Sequence, residues 1–243
     1  MTFNVIAEIG SNWEGSIELA KEHIKEAKQS GATYVKFQMW RAEDLYDKNH
    51  PQWETIKKSE LTENVAIELK KYSDQIGIEW FCSVFNPESV EFLEKLNVKI
   101  YKIASRTSKL KDRFSLETIK KVSETRKTTF ISTGEGADKN KISEMFEAEK
   151  IQFTYCVSKY PTMDSDINWK EVFNHNFFSD HTMGITIPLI YAIKKKFNSN
   201  ADIFIEKHTR FADSKGPDSS FAITYDELKE LNSHLKRIEN VEC

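Results

Sequence analysis

The sequence predicts an α/β fold, a closed (β/α)8 barrel of the TIM type, as a single domain over residues 1–243. Three observations lead there. Short β-type runs alternate with amphipathic helical patterns from one end to the other, which is how parallel strand and helix units read in sequence. The runs number eight, and eight such pairs in 243 residues come close to the usual length of a closed barrel, about 250 residues. No Ser/Pro/Gly-rich stretch or block of like charge interrupts the alternation to mark a boundary.

The first strand is read at 5–9, and a helix follows from Ser16, a residue suited to cap a segment that opens with Ile17, Leu19 and Ala20. The second strand is 34–38, YVKFQ, and the next helix starts at Thr62 with Val65, Ile67 and Leu69 at helical spacing. The third strand, 78–83, leads to Pro87, whose fixed φ suits a first helical turn, ahead of Val90, Phe92 and Leu93. Strands at 100–104, 129–132, 152–156, 176–178 and 203–206 complete the set, the seventh being the shortest. Helical patterns lie between and after them at 115–125, 139–149, 166–174, 185–197 and 224–238, with the weakest periodicity at 166–174.

Composition narrows the function. With 35 Lys plus Arg against 38 Asp plus Glu the net charge is −3, which excludes a strongly basic protein that holds nucleic acid through phosphate contacts. Hydrophobic residues at 39% and aromatics at 12% are enough to fill a core. No apolar run reaches the roughly 20 residues of a spanning helix, so no membrane segment is expected. The opening MTFNVIAEIGS has neither a basic leader nor a small-residue cleavage site. It reads as a mature, cytoplasmic start. Cys82, Cys156 and Cys243 are odd in number and not spaced as CxxC, so neither a disulfide framework nor structural zinc is indicated.

In a barrel the chemistry belongs at the C-terminal ends of the strands. Reactive residues collect there: Glu8 and then Gly10-Ser11-Asn12, Lys36 and Gln38, Ser83, Lys102 and Ser105, Ser132-Thr133-Gly134, Ser158 and Tyr160, Ser179-Asp180-His181, and Glu206-Lys207-His208. Any parallel strand ends in polar residues where it meets solvent, so position alone decides little. Lys36 in YVKFQ and Lys102 in IYKIA are more telling, because an interior ammonium is costly unless an anion or carboxylate meets it. With the serines they would form a cationic, hydroxyl-rich cup for a phosphate or carboxylate. That reading is favoured over internal salt bridges to Glu8 or Glu206.

His23, His50 and His234 read as surface residues and His175 as a helix end. His181 and His208 follow adjacent strands, and two imidazoles with carboxylate and water suit a divalent transition metal. Spacing alone equally allows two hydrogen-bonded histidines. Asp218, in KGPDSS, sits on a Gly-Pro turn above the mouth, where it could equally be a turn cap. Of the tryptophans, Trp40, Trp53 and Trp80 read as packing, and Trp13, in the first strand-to-helix loop, as the one candidate for the pocket.

Taken in order, IAEIGSN (6–12), VKFQ (35–38), FCSVFNPESVEFL (81–93), YKIAS (101–105), ISTGEG (131–136), YCVSKYPT (155–162), SDHTMGI (179–185), IEKHTR (205–210) and KGPDSS (215–220) resemble the catalytic domain of the sialic acid synthases over nearly the whole chain. That family condenses phosphoenolpyruvate with an open-chain amino sugar, usually N-acetylmannosamine or a modified relative, giving a nine-carbon 3-deoxy-2-keto acid and phosphate. The resemblance implies that Lys36, Ser83, Lys102, Ser105, Ser132 and Ser179 hold phosphoenolpyruvate and that His181 and His208 bind manganese or magnesium. It places Glu8, Gln38, Ser158, Tyr160 and Asp218 toward the acceptor sugar, with Glu8 handling a proton.

The chain departs from that pattern in places. Asn12-Trp13 stands where relatives have Asn-His, Arg106-Thr107 where they have an acidic residue, and Ser158 where Asn or Glu is common. Typical relatives continue into an antifreeze-like domain that contributes an arginine across a dimer. No such segment is expected within 1–243; Arg106 or Arg210 could substitute, although an exposed structural role is the favoured reading for both, a separate chain could supply the domain, and a homodimer could form through barrel faces. The leading expectation is a sugar acid synthase in surface-polysaccharide synthesis. A lyase or aldolase using the same pocket, and a silent binding barrel, are the alternatives.

Overall fold

The computed structural model describes residues 1–134 and 136–242, so Glu135 of the ISTGEG stretch and Cys243 lie outside the described residues. Eight strands appear in the expected order: β1 Phe3–Glu8, β2 Tyr34–Met39, β3 Glu79–Val84, β4 Ile100–Ile103, β5 Thr128–Ser132, β6 Ile151–Cys156, β7 Phe177–Asp180 and β8 Ile203–Arg210. Each pairs in parallel with the next, and β1 pairs with β8 from Phe3 opposite Ile203 to Glu8 opposite His208, which closes the barrel. A short ninth strand, β9 Ile223–Thr224, is attached to the end of β8.

The helices are α1 Ile17–Gln29, α2 Ala42–Leu45, α3 Trp53–Lys58, α4 Glu63–Ile76, α5 Pro87–Lys95, α6 Ser105–Ser108, α7 Ser115–Glu124, α8 Lys139–Ser143, α9 Trp169–Val172, α10 Thr186–Asn198 and α11 Tyr225–Glu239. Their starts follow the expected chemistry. Ser16 accepts a hydrogen bond from the Leu19 amide, Asn86 from that of Ser89 with Pro87 at the first turn, and Thr224 exchanges bonds with Glu227 in a capping box.

Several boundaries differ from expectation. The helix expected at 139–149 ends at Ser143, because beyond it only Met145 and Phe146 remain to pack on the core as the chain turns. The segment 166–174 holds only α9 after a 3-10 turn at Asp164–Asp166. The β2-to-α4 connection carries α2 and α3. Strands β7 and β8 run further than expected, so Ser179 and His208 lie within strands rather than after them.

Two residues are placed differently. His23, expected at the surface, is fully buried because Ala20, His23, Ile24 and Ala27 form the i, i+3, i+4, i+7 stripe of α1. Its Nε2 is 3.1 Å from the Asn12 carbonyl, which can only accept, so Nδ1 is free to accept from the Tyr225 hydroxyl. Trp13 points into the core between barrel and helices and not into the pocket.

Strand alternation sorts the interior into layers. Ile6, Phe81, Phe130 and Phe177, from the odd strands, form a closed apolar floor with Tyr34, Ile100 and Phe204 around it. Two residues further along, the even strands present Lys36, Lys102, Thr154 and Glu206, and the odd strands Glu8, Ser83, Ser132 and Ser179. All eight are buried. Within one step along the same strands the interior changes from hydrocarbon to charge.

Candidate active site

The charged layers form one network. The Lys36 ammonium ion-pairs with Glu8, lies 3.4 Å from Glu206 and donates to Ser83 at 3.0 Å. Lys102 donates to Ser132 and lies 3.9 Å from the other oxygen of Glu206, which also accepts from Ser179 at 2.7 Å. Gln38 donates to Glu8 at 3.1 Å. Glu8 and Glu206 are thus ion-pair partners of the two lysines, and the lysines and serines share one buried cup. This follows from register: Glu8 lies opposite Lys36 on neighbouring strands, and Glu206 lies one strand away from Glu8.

Electrostatics divides the two acids. Burial raises both, but Lys102, Lys36 and the Ser179 hydroxyl outweigh it at Glu206 and hold that carboxyl down at about 2. At Glu8 burial prevails over Lys36, with the Glu206 charge adding to it, and the carboxyl is pushed up to about 7. Burial lowers Lys102, whereas at Lys36 the carboxylates outweigh burial and raise it.

Above this network a cavity of about 420 Å³ opens at the C-terminal mouth. Its lining combines the polar Gln38, Ser105, Tyr160, His208 and Asp218 with Trp40, Leu45, Tyr46, Phe85 and Arg106. Ser105 and Ser158 hydrogen-bond each other at 2.7 Å. The Gly134 backbone passes so close that a Cβ there would lie 2.2 Å from both hydroxyl oxygens. A wider hollow of about 950 Å³ lies at the opposite end beside Met1, Lys196 and Glu239, away from the interior lysines, serines and histidines.

His181 and His208 come together, with ring centroids 5.6 Å apart. Tyr160 packs on His181 at 4.5 Å and Phe221 on His208 at 4.8 Å. Burial first, and the neighbouring His208 next, pull His181 down to about 4, and burial followed by the Lys36 ammonium pulls His208 to about 3, so both rings are neutral near pH 7. His181 Nδ1 lies 2.9 Å from the Val157 carbonyl. Its proton is therefore on Nδ1, and Nε2 presents a lone pair. His208 Nδ1 is buried without a hydrogen-bond partner. Two neutral imidazoles with available lone pairs fit a divalent ion. Among the described residues no cluster of three or more His, Cys, Asp or Glu side chains is arranged around one point, so water and substrate would supply the other positions.

Asp218 does not cap its own turn; it reaches across to the first loop and lines the mouth. Its Oδ2 accepts from the Ser11 amide at 2.9 Å and hydroxyl at 2.8 Å and lies 3.8 Å from His208 Nδ1. Gly10, at φ +54°, makes room for it, since a Cβ there would fall 2.3 Å from that oxygen. Of the two candidate arginines, Arg210 is spent on the carbonyls of Ala222, Phe211 and Ala212. Arg106 lines the cavity, held by two bonds to Asp112 and one to the Leu45 carbonyl.

Gln38, Ser105, Tyr160, His208 and Asp218, expected at the strand ends and above the mouth, lie together on this cavity, and part of its wall comes from residues given no such place in the sequence. Glu206, expected at the end of β8 and as a salt-bridge partner of the lysines, lies inside the barrel as alternation from His208 places it. Trp40, read as packing, lines the cavity, and so do Tyr46 and Phe85, because the β2-to-α4 connection folds back over the mouth beside the β3-to-α5 loop that carries Phe85.

A closed parallel barrel whose C-terminal mouth joins a lysine and serine cup to paired neutral histidines defines an enzyme of the (β/α)8 class. Comparison with known proteins assigns it further. A family model described as the NeuB family matches residues 23–242, and the chain belongs to that family. It is 34% identical to an uncharacterized protein of Methanocaldococcus jannaschii, covering 98% of this chain and 71% of that one. It is 30% identical to the pseudaminic acid synthase of Campylobacter jejuni, over 97% of this chain and 74% of the relative. A solved N-acetylneuraminic acid synthetase from Leptospira borgpetersenii superimposes with a TM-score of 0.86 at 25% identity, over 98% of this chain and 84% of that one. Among the described residues no helix is long and apolar enough to cross a membrane.

Proposed function

We propose that this protein condenses phosphoenolpyruvate with an open-chain N-acyl amino sugar, giving a nine-carbon 3-deoxy-2-keto sugar acid and phosphate for surface-polysaccharide synthesis in the cytoplasm. The observation that carries this reading is the juxtaposition, at one barrel mouth, of the Lys36, Lys102 and serine cup with the neutral His181 and His208 pair. The likeness to a pseudaminic acid synthase and an N-acetylneuraminic acid synthetase supports it.

In this reading Lys36, Lys102, Ser83, Ser105, Ser132 and Ser179 bind the phosphate and carboxylate of phosphoenolpyruvate. An incoming dianion replaces Glu8 and Glu206 as the partner of the ammonium groups. His181 and His208 hold a divalent ion, manganese or magnesium, which when bound polarises a carbonyl oxygen as a Lewis acid. Gln38, Ser158, Tyr160 and Asp218 orient the acceptor so that its aldehyde carbon meets C3 of phosphoenolpyruvate. Glu8 takes the proton of the water that adds at C2, and the lysines stabilise the phosphate as it leaves by C–O cleavage. Arg106 provides the guanidinium at the far end of the acceptor.

The test is phosphate release from phosphoenolpyruvate in the presence of manganese and a panel of N-acylated and diamino hexoses, with and without chelator. Chelator-sensitive release with one sugar, accompanied by a nine-carbon acid, supports the reading. Cleavage of a sugar acid without phosphate release would replace the synthase with a lyase.

A further inference from the structure

Lys207 and Asp180 point away from the barrel interior, toward the helices. At this level the wall's other outward-facing residues include Ala7, Phe37, Val84 and Ile103, all apolar. A charged pair here is anomalous, because desolvating two ions is repaid only by complete bonding, and an apolar pair of similar volume usually does as well. The pair is fully buried. Asp180 and Lys207 are register partners on β7 and β8. The Lys207 ammonium donates to Asp180 Oδ2 at 2.9 Å and to the Thr182 carbonyl at 2.6 Å. Thr182 closes the figure, its amide donating to Asp180 Oδ1 and its hydroxyl to Oδ2, both at 3.0 Å.

The two residues that flank His181 in the chain are therefore both gripped by the residue that precedes His208. We infer that Lys207, Asp180 and Thr182 form a clasp that sets the spacing and direction of His181 and His208, with Lys207 and Asp180 acting as positioning residues for the metal pair. The clasp fixes the backbone on either side of one ligand to the backbone just before the other. It has no contact of its own with substrate. This inference rests on the proposed metal role of the histidines.

The test uses manganese alone as probe, followed by its EPR signal, beside phosphoenolpyruvate binding by calorimetry without metal and thermal unfolding by circular dichroism. Lys207→Met is expected to weaken manganese binding about 10- to 100-fold, the range for lost support of a ligand, with phosphoenolpyruvate affinity within about twofold of wild type. The double variant Asp180→Leu/Lys207→Met removes both charges. It leaves the Thr182 amide, hydroxyl and carbonyl without these partners, so it is expected to melt below wild type but above Lys207→Met, while its manganese affinity stays as weak as in Lys207→Met, a separation that a merely structural pair would not produce. Asp180→Asn, which retains an acceptor oxygen, is expected to recover part of the affinity and serves as the milder variant if Lys207→Met does not fold. Wild-type manganese affinity in Lys207→Met or in the double variant overturns the clasp, as does a parallel loss of phosphoenolpyruvate binding. If wild type binds no manganese, or His208→Ala binds it equally well, the metal reading fails and the clasp's role fails with it.

Discussion

The lower and upper halves of the barrel interior are built from the same eight strands with the same alternation, yet they do opposite work. Below, Ile6, Phe81, Phe130 and Phe177 pack ring against ring, Phe130 and Phe177 with centroids 4.8 Å apart. Burial of that surface stabilises the fold at about 25 cal/mol per Å². Above, Lys36, Lys102, Glu8 and Glu206 are equally buried, and each charge is tolerable only because another meets it. The contrast teaches that the floor is there to fold and the layers above it to bind. Substitutions in the two halves should therefore separate stability from activity.

The sharpest separation is expected at the mouth. His181→Ala should lower turnover by at least about 1,000-fold, the scale of losing a key electrostatic stabiliser, while the melting temperature stays within a few degrees. Comparable turnover in that variant would end the metal hypothesis.

Lys36→Met tests the charged layer itself. Leaving Glu8 and Glu206 without this partner should cost about 3–5 kcal/mol of stability and abolish phosphoenolpyruvate binding. Lys36→Met/Glu8→Leu should restore stability in denaturant titrations and leave binding lost. Recovery of both would show that the pair has no role beyond mutual neutralisation. In the floor, Phe130→Ala should cost a similar 3–5 kcal/mol through the cavity it leaves. At a temperature where the variant remains folded, its KM for phosphoenolpyruvate should be little changed.

His23 offers a pH test away from the pocket. Burial holds its pKa down at about 4 against an ordinary 6.5. The unfolded chain then binds more protons than the folded one between those values, so the associated stability is complete above pH 6.5 and drains as pH falls toward 4. The loss amounts to about 3 kcal/mol. His23→Gln should flatten that part of the stability profile, and an unchanged slope would show that other groups set it. The smallest effect is expected for Arg106→Ala: about a tenfold rise in acceptor KM, near 1.4 kcal/mol, without change for phosphoenolpyruvate. A rise in both constants would place Arg106 in the cup and not at the acceptor end.

The residues legible in advance were those whose position follows from local periodicity. Period-two alternation places Lys36, Lys102, Glu8 and the serines on one inner face, whichever way the surrounding loops run. His23 shows the same rule misapplied, since its spacing from Ala20, Ile24 and Ala27 marked it as core. The wall formed by Trp40, Tyr46 and Phe85 was not legible, because the connection over 40–62 can fold back in many ways, its own sequence does not choose among them, and Phe85 joins it from the β3-to-α5 loop only in the folded chain.

By itself, then, the sequence determined strand number and order, the polar interior and the chemical character of the cup, because these depend on spacing along one element. Only the tertiary structure decided that Glu206 would face both lysines, which needs β8 closed against β1, and that Lys207 would grip both neighbours of His181, which needs the register of β7 on β8. Neither register is written in the spacing along one strand, because each is set by how two strands pair.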